Sequence, residues 1–212
     1  MIFPGRQAQM DGDQKAAWLS ARCGKLTASR MADAMDFLKS GQPSAKRVKL
    51  MQELLAERLT GDSMSHVVTE AMEHGIEYED EAVDMFVGLT GRDVKLSRFY
   101  DHPSIENFGA TPDREMDDGL IEVKCPSTPK FVQWRINKIV PWEHRPQMLA
   151  QLACSGKKWC GFVAYDPRIK EEGKRLFLAK YVPTEEEIAE VEDAARAFLA
   201  ELEVMFDAFV TA

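Results

Sequence analysis

The sequence offers little from which to build a disulfide framework or a structural zinc site. Its 212 residues hold four cysteines, Cys23, Cys125, Cys154 and Cys160, with no C-x-x-C pair among them. That spacing excludes clustered thiolate ligands and fits a reducing compartment. Long apolar runs are missing as well: no stretch reaches the about 18 residues that a membrane-spanning helix needs. Met1 to Asp13 lacks a basic segment followed by an apolar run, so no secretion signal is expected there. Excess positive charge is also absent, with 27 basic residues against 35 acidic ones and a net charge of −8. Taken in bulk this weighs against nucleic acid, whose non-specific binding is dominated by phosphate neutralisation. The deficit is local, however. After Pro183 the chain carries Glu185, Glu186, Glu187, Glu190, Glu192, Asp193, Glu201, Glu203 and Asp207 against Arg196 alone. That segment holds the whole net charge, and the remainder is neutral enough to carry a basic groove.

What is present points first to a core. With 45% hydrophobic and 29% charged residues, the composition is that of a globular protein of one core, or of one core with elaborations. The most informative stretch is Ala110-Thr111-Pro112-Asp113 through Leu120-Ile121-Glu122-Val123-Lys124-Cys125-Pro126. It reads as two extended segments joined by Glu115-Met116-Asp117-Asp118-Gly119, whose Asp-Asp-Gly supplies a tight turn. Strand side chains alternate with period two, so Leu120, Glu122 and Lys124 share one face while Ile121, Val123 and Cys125 turn into the core. Antiparallel pairing would bring Asp113 to Glu122. Two carboxylates and an ammonium so placed suit a hard divalent cation that keeps some of its own water. An ion pair on an exposed strand is the plainer alternative.

The remaining elements follow in order. Asp11 to Arg22 is expected to be helical, and Thr27 or Ser29 to cap a second helix through Met31, Met35 and Leu38. Arg22 and Ser29 would then bracket a helix N-terminus, which favours an anion. Ser44 to Thr60 predicts an amphipathic helix closed by Gly61, with Val48, Met51, Leu54, Leu55 and Leu59 apolar. Lys46, Arg47 and Lys49 in its first turn are unfavourably placed for cations unless a phosphate lies nearby. A polar stretch, Asp62 to Thr69, leads to a long helix from Glu70 to Thr90. There Gly75 permits close approach, and Glu79, at the apolar boundary, is the carboxylate best placed to turn inward. Val94 to Asp101 predicts a strand, Phe131 to Ile139 a helix, and Glu143 to Ser155 a helix carrying Gln147 and Gln151 one turn apart. Trp159 to Tyr165 and Leu176 to Val182 predict two more strands. A last helix opens on the capping box Thr184-Glu185-Glu186-Glu187. Its apolar seam, Ile188, Val191, Ala195, Phe198, Leu202, Met205 and Phe209, suits packing on its own domain or on another subunit.

The order of these elements, with Asp…Glu-x-Lys on a hairpin and glutamines on the following helix, resembles the PD-(D/E)XK nuclease superfamily. Within it the chain resembles the phage lambda exonuclease, or YqaJ-type viral recombinase, family. The resemblance is carried by Trp18-Leu-Ser-Ala-Arg22 with Leu26-Thr-Ala-Ser29, by Gly75-Ile-Glu-Tyr-Glu79, and by Thr111-Pro-Asp113. Gly119-Leu-Ile-Glu122-Val-Lys124-Cys-Pro126 and Tyr165-Asp-Pro-Arg168 complete it. It implies an α/β (α+β) fold: a central mixed sheet flanked by helices, with N-terminal helices and a long C-terminal helix. One nuclease domain is expected over 1–212, with a helical part at about 11–61, a core at about 70–183 and the last helix at about 184–210.

The same resemblance implies a Mg²⁺-dependent 5′→3′ exonuclease that uses two ions, for which Mn²⁺ can substitute. Asp113, Glu122 and the Val123 carbonyl would bind metal, and Glu79 would hold a second ion directly or through water. Lys124 would position or activate the attacking water, assisted by Gln147 or Gln151; the family often shows Gln-x-Gln where this chain reads Gln147-Met-Leu149-Ala-Gln151. Arg22, Ser29, Thr111 and Lys130 would form a 5′-phosphate pocket, with lysine and threonine standing where arginine and serine are common. Met72 falls where the family places a wedge between the strands, or else is ordinary core. Implied partners are linear duplex DNA ends, two further copies in a homotrimeric ring and a single-strand annealing protein. The implied setting is the cytoplasm of a phage-infected host, with no membrane. A restriction-type endonuclease and a non-catalytic DNA-end-binding module are the alternatives.

Overall fold

The computed structural model describes residues 12–64 and 69–212. The start of the first expected helix at Asp11, the N-terminal segment before it and 65–68 of the polar stretch lie outside the described residues. Helix α1 spans Gly12–Arg22. It leads through strand β1, Leu26–Thr27, into a single 3-10 turn, Ala28–Arg30, and a one-turn helix α2, Met31–Ala34. The expected second helix is therefore shorter than its apolar spacing suggests. Thr27 stands at the cap position without a side-chain cap bond; its hydroxyl lies 3.3 Å from that of Ser29 instead.

Helix α3, Ala45–Thr60, has Ser44 accepting from the N–H of Arg47, and it ends on Gly61 at φ 75°, a left-handed position that glycine occupies without strain. Val48 is exposed and Leu50 takes a core position. Arg47 is buried: its guanidinium forks onto the two carboxylate oxygens of Glu201 at 2.8 and 3.0 Å. The first-turn cation is thus satisfied from within the chain rather than by phosphate. Helix α4, Glu70–Thr90, is capped by Thr69 and closed by Gly91. A side chain at Gly75 would meet nothing within 4 Å, so no close approach depends on that glycine.

Among the described residues eight strands form two sheets. Strand β4, Phe108–Ala110, lies between β1 and β3, Tyr100–Asp101. The larger sheet runs β2-β5-β6-β7-β8, with β2 Lys95–Leu96, β5 Arg114–Glu115, β6 Leu120–Lys124, β7 Cys160–Tyr165 and β8 Leu176–Tyr181. Within this sheet β6 and β7 pair in parallel and the other neighbours antiparallel, while in the smaller sheet β1 and β4 are parallel. The crossover from β6 to β7 carries α5, Thr128–Asn137, a 3-10 turn at Trp142–His144, and α6, Arg145–Ser155. The expected strand over Val94 to Asp101 is two short strands in different sheets. The first arm of the hairpin is likewise divided: Ala110 ends β4, and the chain reaches the larger sheet only at Arg114. Glu115 belongs to β5 rather than to the turn, where Met116 N–H donates to the carbonyl of Gly119 at 2.8 Å.

The larger sheet is covered on both faces. On one side Ala82, Val83 and Phe86 of α4 pack on Ile121, Val123 and Val163. On the other, Phe131 and Trp134 of α5 and Met148 and Leu152 of α6 pack on Leu120, Phe162 and Ala164. The alternation expected of β6 holds, but both of its faces are core. The last helix, α7, Glu185–Thr211, has the expected capping box. Its seam packs on this chain through Val191, Ala195, Phe198 and Leu202, against α2, α3 and α6. Beyond Leu202, Val204, Met205, Phe209 and Val210 are exposed. No helix among the described residues is long and apolar enough to cross a membrane, and all four cysteines are free thiols.

Candidate active site

Strand β6 ends at one side of the sheet with Glu122 and Lys124 on the face turned to α6. The antiparallel register pairs Arg114 with Ile121 and Glu115 with Leu120, so one step further Asp113 stands beside Glu122. An Asp113 carboxylate oxygen accepts the Val123 N–H at 2.7 Å, which fixes that residue across the mouth of the hairpin. Glu122 is completely buried. One of its oxygens meets the Lys124 ammonium, and the other accepts from the side-chain amide of Gln151 at 2.5 Å. The Glu122 pKa is raised, first by burial and then by the charge of Asp113. Burial alone would lower Lys124, but the Glu122 and Asp113 carboxylates outweigh it and hold the ammonium firmly protonated.

The site opens onto a cavity of about 840 Å³. Eleven of the twelve residues expected from sequence line it: Arg22, Ser29, Met72, Glu79, Thr111, Asp113, Glu122, Val123, Lys124, Lys130 and Gln147. Gln151 lies behind Glu122 and acts through it. The two glutamines are thereby separated, one facing the cavity and one bonded to the carboxylate. Arg22 stacks on Trp18 at 4.4 Å and donates to the Thr111 hydroxyl at 3.0 Å. Lys130 and Ser29 are exposed on the wall. Met72 is 47% exposed, so core packing does not describe it.

Glu79 does turn inward from α4, but it is bound to a residue that the sequence reading passed over. Arg114, buried in the sheet, donates to Glu79 at 2.5 Å, to Asp80 at 2.9 Å and to the Asp113 carbonyl at 2.8 Å. Its place directly after Asp113 was the available signal. Trp18, Arg168 and His144 also line the cavity. The first two stood in the motifs that carry the family resemblance; nothing in the sequence marked His144.

The donor set fits a hard cation that keeps water. Among the described residues no three His, Cys, Asp or Glu side chains gather closely enough to hold an ion by themselves. Asp113, Glu122 and the Val123 carbonyl supply oxygens for part of a shell, as Mg²⁺ sites do. A buried carboxylate raised by a second one beside it is the electrostatic situation that a cation relieves. The nearby Cys125 thiol is pushed up to about 12, by burial and then by Glu79 and Asp113, and so supplies no thiolate.

A mixed five-stranded sheet with Asp, Glu-x-Lys and a supporting glutamine at its edge is a PD-(D/E)XK nuclease core. The chain belongs to the YqaJ-like viral recombinase domain family, whose model matches residues 17–158. Among solved structures it is similar to the alkaline exonuclease LHK-Exo of Laribacter hongkongensis, with 38% identity over 92% of this chain and 96% of that one and a TM-score of 0.85. LHK-Exo in complex with dAMP gives 38% identity, 92% and 95% coverage and a TM-score of 0.84. A phage related exonuclease from Haemophilus somnus 129PT, 14% identical over 85% of this chain and 96% of its own, shares the fold at a TM-score of 0.64. No curated protein matches. Family and fold imply a nuclease acting on DNA.

Proposed function

We infer that this chain is a divalent-metal-dependent exonuclease acting on linear duplex DNA. It removes mononucleotides from one strand in the 5′→3′ direction and leaves a 3′ overhang for a single-strand annealing protein. The observation that carries this reading is one cavity holding two kinds of site: Asp113, Glu122 and Lys124 on one wall, Arg22 with Ser29 and Thr111 on another. A carboxylate site alone would serve any nuclease. The arginine beside it gives the enzyme a way to recognise a terminal phosphate.

Asp113, Glu122 and the Val123 carbonyl would hold Mg²⁺ or Mn²⁺, with Glu79 toward a second ion. Such an ion supplies phosphoryl polarisation and an acidified water. Gln151 holds Glu122 in its rotamer. Lys124, bonded to Glu122, would position or activate the attacking water and can donate a hydrogen bond to a phosphoryl oxygen. Arg22, with Ser29, Thr111 and Lys130, would bind the 5′-phosphate. Met72, exposed at the rim, is available to separate the end base pair.

The exposed apolar end of α7 supports assembly into a closed trimeric ring, working in the cytoplasm of the host cell. Incubation with Mg²⁺ and 5′-phosphorylated linear duplex should release mononucleotides, while closed circular DNA stays intact. Cutting of the circle would instead establish an endonuclease, and no release from the linear substrate would refute the reading.

A further inference from the structure

The cavity wall carries another cationic group, one that none of the roles above uses. Arg168 sits in the turn that follows β7 and lines the cavity. Three hydrogen bonds hold it. Its Nε and its main-chain N–H both donate to Oδ1 of Asp166, at 2.6 and 3.0 Å. Its Nη2 donates to the Pro126 carbonyl at 2.7 Å. Pro126 lies two residues beyond Lys124, so the guanidinium is tied to the exit of the strand that bears the carboxylate site.

Asp166 is fully buried. Burial would raise its pKa, yet the hydrogen bonds from Arg168 and Thr128 hold it below the usual carboxylate range. The anchor is therefore a charged group with a fixed position. The Arg168 side chain remains 48% exposed, and no hydrogen bond to Nη1 occurs among the described residues. An arginine that only paired with a surface carboxylate would keep its rotamer freedom and contribute little. This one has lost that freedom already, so a phosphate arriving in the cavity meets a planar donor that needs no further ordering. Lys130 and Ser127 stand among the same lining residues, while the Arg22 cluster is tied to a different segment, through Thr111.

We propose that Arg168 binds a backbone phosphate of the DNA strand lying in the cavity, with Asp166 as the positioning residue that presets its guanidinium. The proposal rests on the nuclease reading for its ligand. Its contribution is to affinity and register, and it leaves metal binding to the carboxylates.

The test combines binding and turnover. Binding of a 5′-phosphorylated duplex in Ca²⁺ is followed by fluorescence anisotropy between about 50 and 200 mM salt, where each phosphate contact adds about 0.9 to the log–log slope. Arg168→Ala and Arg168→Gln should flatten the slope by about one contact, while Arg168→Lys, which keeps the charge, should retain it. With Mg²⁺, the Ala and Gln variants should raise KM by about tenfold and leave kcat within about threefold, the pattern of lost uniform binding. Glutamine keeps an amide able to reach Pro126, so the Gln and Lys variants decide the matter if alanine unfolds the loop. A folded Gln variant with the wild-type slope, or a loss of kcat at unchanged KM, would overturn the proposal and make Arg168 a staple between two loops. Wild type that binds duplex in Ca²⁺ yet releases no nucleotide in Mg²⁺ would defeat the nuclease reading, while the slopes would still decide Arg168.

Discussion

Among the described residues two glutamates are buried, and they are satisfied in opposite ways. Glu57, on α3, receives the N–H of Gly24 at 2.8 Å and that of Met64 at 2.9 Å. These two main-chain donors are neutral and fixed, the Ser63 hydroxyl adds a longer bond at 3.5 Å, and together they stitch the turn after α1 and the end of α3 to one carboxylate. Glu122 receives a lysine and a glutamine side chain and faces a second carboxylate across the hairpin. The first arrangement is complete as it stands. The second concentrates negative charge beside a cavity and satisfies it with groups that can be shared with something else. Burial of a carboxylate is thus no guide to function by itself; what separates the two residues is whether the partners are neutral groups alone, as at Glu57, or include a charged side chain facing a second carboxylate, as at Glu122.

The sharpest way to break that comparison is to neutralise each glutamate. Glu122→Gln should cut the nuclease rate by about a thousandfold or more, since the metal loses a charged ligand. Its melting temperature should hold or rise, because a buried charge next to Asp113 has gone. Glu57→Ala should do the reverse. It leaves one buried and one half-buried N–H group without an acceptor, at about 2 kcal/mol of stability in total, while the folded fraction keeps its turnover. Kinetics and thermal melts on the same preparations check both. Parallel losses of rate and stability in the two variants would erase the distinction.

Arg114 sharpens the comparison from the other side. It is a buried cation serving Glu79, Asp80 and the Asp113 carbonyl at once, so Arg114→Met takes the guanidinium away from two carboxylates behind the site. The expected loss is about 3–5 kcal/mol in the absence of metal, read as a shifted urea midpoint. Added Mg²⁺ should recover part of it if Glu79 lies close enough to share the ion. A midpoint unchanged by the substitution would mean that Glu79 and Asp80 are held by other partners.

Much of this site was legible because its signals are local. The turn at Asp117-Asp118-Gly119, the period of β6 and the one-turn separation of Gln147 and Gln151 each depend on a few adjacent residues. The closing Gly61 of α3 and the capping box of α7 were readable for the same reason. Charge destinations were not. Arg47 looked like a cation in want of phosphate because its partner, Glu201, lies far along the chain on α7. Glu79 was expected to face metal, and Arg114 could not be seen to claim it until the sheet register was known. The division of Val94–Asp101 between two sheets escaped for a related reason: pairing partners, not local propensity, decide where a strand breaks. Met72 shows the limit in the other direction. Its helical spacing allowed core, but α4 overhangs the sheet at that end, and the side chain is left at the cavity rim.

The smallest expected effect concerns His144, which lines the cavity but was marked by nothing in the sequence. Its ring stacks on Phe162 at 5.4 Å and meets Trp134 edge-on at 5.2 Å. Burial, and then the charges of Lys124 and Lys130, push its pKa down to about 4, whereas in an unfolded chain it titrates near about 6.5. The folded state therefore binds this proton less readily than the unfolded state does. The stability that His144 contributes is complete above about pH 6.5 and is lost as the pH falls toward about 4. Replacing it with phenylalanine keeps the aromatic contacts and removes the proton. Melting curves should show wild type losing ground to His144→Phe across that interval and running parallel to it above neutrality. Parallel curves over the whole range would mean that folding leaves the affinity of this imidazole for its proton unchanged, so that neither burial nor the charges of Lys124 and Lys130 act on it.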